Sequence, residues 1–141
     1  MSSYDQSILG LMSTPFEIFK ERLLEAAGDA LASRGYALQD DALQIGSGLY
    51  RFARSLGGNA RSLVDVQLLF YPGGGPSRFE VKVWRDDRPK DKTRLGVWLR
   101  EHNVETPADA AGWWEFASAG ELIGALQDAA RGLERLLIGE C

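Results

Sequence analysis

A chain of 141 residues with 45% apolar and 26% charged residues has the size and composition of one ordinary globular domain, which sets aside collagen-like, disordered and membrane-embedded chains. Its formal charge of −4 disfavours nucleic acid as a partner, because phosphates are held by clustered Lys and Arg. The lone cysteine, Cys141, excludes an intrachain disulfide. No apolar run of about 18 residues is available to span a bilayer, and the start lacks the pattern of a secretory leader. These features together point to a reduced, cytoplasmic setting.

Residues 1–13 are polar around a short apolar island, Ile8-Leu9-Gly10-Leu11-Met12, and read as a flexible N-terminal arm ahead of a single domain at 14–141. Thr14-Pro15-Phe16-Glu17 is a helix start, with a capping hydroxyl, proline at the first helical position and a glutamate placed for a capping box. Phe16, Phe19, Leu23, Ala26, Ala27, Ala30 and Leu31 then recur every three or four residues, and Gly35 supplies a left-handed stop.

Around Gly46 and Gly48 the pattern weakens, after which Tyr50 and Phe52 alternate with Arg51 and Ala53 as in a half-buried strand. Leu56 to Ala60 is a turn. Residues 62–71 give the clearest strand, with Val64, Val66, Leu68 and Phe70 on one face and Asp65, Gln67, Leu69 and Tyr71 on the other. The Pro-Gly run at 72–76 separates it from a strand at 78–85, so the two form an antiparallel hairpin. Residues 86–92 are a charged, exposed loop. At 93–100, Leu95, Val97 and Leu99 fit strand alternation and also two turns of helix; a fourth strand is preferred. Ser118-Ala119-Gly120-Glu121 is a second capping box, and the apolar stripe from Leu122 to Leu137 carries a helix to Gly139. The expected fold is α+β: an antiparallel sheet of three to four strands with an N-terminal and a C-terminal helix packed on one face.

No catalytic or metal-binding constellation is present. His102 and Cys141 cannot supply a spaced ligand cluster, and Asp40-Asp41 and Asp86-Asp87 read as solvated loop acids without EF-hand spacing. No nucleophile elbow accompanies His102, read as an exposed loop histidine, and the glycines at 73–75 precede a strand where a phosphate loop needs a helix. No cofactor is expected. Two features remain. Trp84, Arg85, Arg88, Lys90, Lys92, Arg94, Trp98 and Arg100 are an aromatic and basic set, interrupted by Asp86, Asp87, Asp91 and Glu101. Trp113 and Trp114 are adjacent, so in an extended backbone they point opposite ways; both rings can lid the core, or one can lie at a partner surface.

The opening helix ending in Arg34-Gly35-Tyr36, the strands Leu49-Tyr50-Arg51-Phe52, Val64-Asp65-Val66-Gln67 and Phe79-Glu80-Val81-Lys82-Val83, then Arg94-Leu95-Gly96, Trp113-Trp114 and the capped final helix are similar to a bacterial family, domain of unknown function 4304. The resemblance covers nearly all of the chain after Ser13 and implies a helix-flanked antiparallel sheet with no established activity.

The function expected from these features is a non-enzymatic binding protein, immunity-like or chaperone-like, holding a protein partner or a second copy through Trp84, Arg94, Trp98, Arg100, Trp113 and Trp114. The alternative is a small-ligand binder or enzyme with a pocket between sheet and helices, closed by Trp98, Trp113 or Trp114 and oriented by Arg94 or Arg100.

Overall fold

The computed structural model describes residues 14–73 and 75–139, so the arm at 1–13 and Cys141 lie outside the described residues. The first helix, α1, starts as its sequence directs. Thr14 is extended at the N-cap, its hydroxyl accepts from the Glu17 amide, and Pro15 opens the helix. It runs through Pro15–Leu23, a π-helical turn at Leu24–Gly28, and Asp29–Ser33. The π turn has a packing cause. The buried residues Phe19, Leu23, Ala27 and Leu31 are each four apart, and in an α-helix each such step drifts about 40° around the axis. One wider turn absorbs that drift and keeps the four side chains on a single stripe. The helix ends in a Schellman cap: Gly35 has φ 86°, its amide donates to Ala32 O, and the Tyr36 amide donates to Leu31 O.

Among the described residues the strands form one six-stranded antiparallel sheet: β1 (Ala37–Leu38), β2 (Leu49–Ser55), β3 (Arg61–Leu69), β4 (Ser77–Arg85), β5 (Thr93–Arg94) and β6 (Trp113–Phe116). Order is β1-β2-β3-β4, and the far edge of β4 is shared. Its second half pairs with β5, Lys82 opposite Arg94, while its first half pairs with β6, Phe79 opposite Trp114 and Glu80 opposite Trp113. The sheet therefore has more strands than the three to four expected, because β1 and β5 are only two residues long and β6 lies in a segment with no alternating pattern beyond its aromatics.

Two further differences are local. A short helix, α2 (Ala42–Gly46), fills the weakly patterned stretch; Asp41 is its N-cap and accepts from the Leu43 and Gln44 amides. The expected fourth strand at 93–100 is two residues of β5 followed by helix α3 (Leu95–Glu101). Helix wins there because Leu95 and Leu99, four apart, are both buried, a pairing that also satisfied the alternating pattern. Its entry requires a glycine: a Cβ on Gly96 would lie 2.6 Å from Gly112 Cα. The final helix, α4 (Ala119–Gly139), begins at the Ser118 cap, whose hydroxyl accepts from the Glu121 amide.

The core lies on one face of the sheet. Tyr50, Phe52, Val64, Val66, Leu68, Phe79, Val81, Val83 and Trp114 from the strands meet Phe19, Leu23, Leu31, Ile45, Leu95, Leu99, Leu126, Leu133 and Leu136 from the helices in one buried cluster. Phe79 and Trp114 stack with centroids 5.5 Å apart, and Phe19 meets the Tyr50 ring at 5.1 Å.

Two glycine substitutions separate close approach from helix propensity. Gly96→Ala is expected to lower stability by about 2 kcal/mol through overpacking against the Gly112 backbone. Gly124→Ala, in α4 with nothing within 4 Å of the added methyl, is expected to raise it by roughly 0.5–1 kcal/mol. Urea unfolding of the two variants measures both signs.

Candidate functional site

Because the helices all feed the core face, the alternate residues of each strand form a second face furnished by the strands' own side chains. Strand register arranges it in rows. Arg51, Asp65, Lys82 and Arg94 stand side by side across β2, β3, β4 and β5. Gln67, Glu80 and Trp113 form the next row, and Arg78 with Glu115 the one beyond. Leu63 and Trp84 are paired on the other side of the first row.

Asp65 organises the centre of this face. Arg51 donates to it through Nε at 2.8 Å and a terminal nitrogen at 2.9 Å, and Trp84 Nε1 donates at 2.9 Å. With 11% of its side chain exposed, the carboxylate has exchanged water for three directed donors, the condition under which a desolvated charge is tolerated. The Asp65 hydrogen bond raises the Arg51 pKa above its already high ordinary value. The Trp84 ring in turn has the Arg51 guanidinium 5.4 Å and the Lys92 ammonium 4.3 Å from its centroid. Leu63, at 1% exposure and outside the main core cluster, is buried on this face.

Glu80 is the matching anchor of the next row. Its side chain is 5% exposed, with Lys82 Nζ at 3.4 Å and Arg94 Nε at 3.9 Å, and its Oε1 makes no hydrogen bond. Arg78 lies over Trp113, 4.7 Å from the ring centroid. The two carboxylates are thus internal supports, and what reaches solvent is largely the cations they hold: Arg51, Lys82, Arg94, with Arg78 and Lys92 over the rings. Their outermost counter-charge is the exposed Glu115.

The six residues singled out from sequence do not converge. Trp84, Arg94 and Trp113 share the open face. Trp98 is half-buried on α3, stacked on the exposed His102 with centroids 4.2 Å apart. Arg100 is a tie for the 102–112 loop, donating to the carbonyls of Ala108 and Asp109. Trp114 is 1% exposed and its Nε1 donates to Asp128, which also accepts from Thr106; it is core and has no surface to offer a partner. Of the adjacent tryptophans, one therefore enters the core and the other lies outside. Arg51, Asp65, Arg78, Glu80 and Lys82 are not among the six, although each occupies the non-core parity of a strand that the alternation defines.

Two cavities flank the sheet ends. An apolar groove of about 620 Å³ is lined by Ile18, Phe19, Leu68, Phe70, Phe116 and Leu122, among others. None of the tryptophans or arginines expected to close a pocket between sheet and helices lines it; Trp113 and Trp114 instead line a smaller pocket of about 350 Å³ between β6 and α4, with Asp109, Glu121 and Ala125. A second pocket, of about 370 Å³, lies at the opposite end among Arg54, Ser62, Trp84, Arg85, Arg88 and Thr93. The turn beside it is clamped by Asp86, which accepts from the Arg61 amide at 2.8 Å and Arg61 Nε at 3.0 Å, and by Asp87, bidentate with Arg85. Among the described residues no group of three or more His, Cys, Asp or Glu side chains is placed to hold a metal ion, and no helix is long and apolar enough to cross a membrane. No family model, curated protein or solved structure matches the chain.

Asp65→Asn leaves Arg51 and Trp84 short of an acceptor and is expected to cost roughly 2 kcal/mol in urea unfolding. An acid titration reads the loop clamp. The Arg61 amide and guanidinium lower the Asp86 pKa, so its stabilising share is present above the ordinary carboxylate range, near pH 4, and is lost as pH falls through the folded value. Asp86→Asn is expected to flatten the loss of stability below about pH 4 relative to the parent chain.

Proposed function

We propose that this chain is a non-enzymatic binding protein that holds a protein partner through the open face of its sheet, and that the partner's contact surface is acidic. The observation that supports this reading is the division of charge on that face. Asp65 and Glu80 are buried at 8% and 4% exposure, where they aim Arg51, Lys82 and Arg94, and the cations remain at the surface. Held in place by carboxylates, those side chains lose less rotamer freedom when a partner binds. Complementary charge then favours fast and selective association.

A nucleic acid fits this face less well. Trp84 and Trp113 already carry the chain's own cations, so their rings are not free platforms for stacked bases, and the chain as a whole is at −4. That overall acidity would complement a basic partner, as in an immunity protein, whereas the open face itself calls for an acidic one. The resemblance to domain of unknown function 4304 brings no activity, so the reading rests on the face. A cytoplasmic setting is consistent with the single cysteine, and a second copy is the alternative occupant.

A second reading has one observation in its favour. The apolar groove of about 620 Å³ is large enough for a small apolar ligand, although among the described residues no charged side chain lines it to carry a reaction.

Affinity capture from host lysate with Lys82→Gln/Arg94→Gln beside the parent and an Arg131→Gln control on α4 tests the first reading. A stoichiometric protein is expected on the parent and control, with binding about tenfold weaker in the double variant and released by salt. Equal capture by all three, with unchanged melting curves, would remove the open face from the interaction.

A further inference from the structure

The pocket at the β2–β3 turn end of the sheet has a charge arrangement unlike any other cavity here. Strand register puts Arg54, Ser62 and Arg85 in one row across β2, β3 and β4, on the same pleat as the core residues Phe52, Val64 and Val83 but past them toward the sheet end. Arg54 and Arg85 therefore flank Ser62 from the strands on either side, about 4.8 Å away in each direction. Arg88 joins from the following turn, whose amide donates to Arg85 O at 3.0 Å.

Arg54 is the telling member. It is half-buried, its guanidinium lies 5.0 Å from the centroid of the Tyr36 ring, and its hydrogen bond to Arg34 O is a long one of 3.5 Å. Among the described residues no carboxylate pairs with it. Arg51, at the neighbouring parity of the same strand, is instead satisfied in full by Asp65. Ser62 is held by Tyr36 through a 2.7 Å hydroxyl contact, and Thr93 adds a second hydroxyl to the lining. The carboxylates beside the pocket are Asp91 in the lining and Asp87, which pairs with Arg85; among the described residues neither Arg54 nor Arg88 makes an ion pair, so these two carry the pocket's available positive charge. Leu56 and Val83 supply apolar wall.

We propose that this pocket binds an oxyanion, a phosphate or carboxylate group on a small molecule whose apolar part lies against Leu56 and Val83. Arg54, fixed on Tyr36, supplies a charge that no described carboxylate pairs, and Arg88 reaches the anion from the turn. The volume of about 370 Å³ suits a small ligand larger than the bare ion. This site is separate from the open face and stands or falls independently of it.

Amide-detected NMR titration of the full chain with sodium phosphate, and in parallel with sodium acetate, at ionic strength held constant with sodium chloride, tests the proposal. Saturable shifts are expected at the amides of Ser62, Trp84, Arg88 and Thr93 with at least one of the two anions, and the anion that saturates identifies the group recognised. Arg54→Gln is expected to weaken binding about tenfold, the loss of one charge-assisted contact. Arg88→Gln, on an exposed turn where it cannot disturb the core, weakens it in the same direction, while Arg94→Gln titrates as the parent. Shifts that never saturate with either anion, or identical titrations for the parent and Arg88→Gln together with Arg54→Gln, would overturn it.

Discussion

Strand β4 is paired along both edges, so its side chains have two places to go, and the pleat decides between them. Phe79, Val81 and Val83 face the helices, while Arg78, Glu80, Lys82 and Trp84 face away. The same parity runs through β2, β3 and β6 by register, and a slip of one residue would exchange the two sets everywhere. Burial of large apolar side chains, each contributing roughly 1.5–3 kcal/mol, makes such a slip prohibitive. The character of the second face therefore follows from the packing of the first.

That second face poses its own physical problem, since a sheet with helices on one side leaves the other to water. The chain covers it with long amphipathic side chains, which lay their methylenes and rings over the sheet while their charges stay wet. Asp65 and Glu80 are the anchors of this layer. Asp65 is satisfied by three donors, and Glu80 is held by two cations at longer range. A layer of cations held over buried carboxylates is the feature on which the proposed recognition of an acidic surface rests: Asp65 pairs Arg51 closely, while Glu80 holds Lys82 and Arg94 at longer range.

How much of this could be read from the chain alone depended on length and local grammar. The capping residues Thr14, Ser118 and Gly35 stand where their helices begin or end, and the alternation in β3 and β4 was plain, because each signal is carried by neighbouring residues. The π turn in α1 left its trace in the unbroken spacing of four among Phe19, Leu23, Ala27 and Leu31. By contrast, β1 and β5 are too short for any period. For Leu95 and Leu99 the choice of helix over strand is tertiary, made by the contact of Gly96 with Gly112 and of Leu99 with Gly132. The candidate site was legible in parity and hidden in composition. Aromatic and basic residues near one another in sequence, such as Trp84, Trp98 and Arg100, were separated by the fold, whereas Arg51, Lys82 and Arg94 were brought together from three strands by pairing that no local pattern announces.

Side-chain footprinting with hydroxyl radicals on the chain, free and in complex with the protein it captures, tests the central claim most directly, because it reports on faces and not on backbone hydrogen bonds that the sheet already protects. If the open face is the contact surface, oxidation of Trp84 and Trp113 falls on binding, while Trp98 on α3 and Ile18 on α1 react as before. Protection confined to Trp98, or to Ile18 and Tyr71 beside the apolar groove, would contradict the account and move the interaction to the helical side of the molecule.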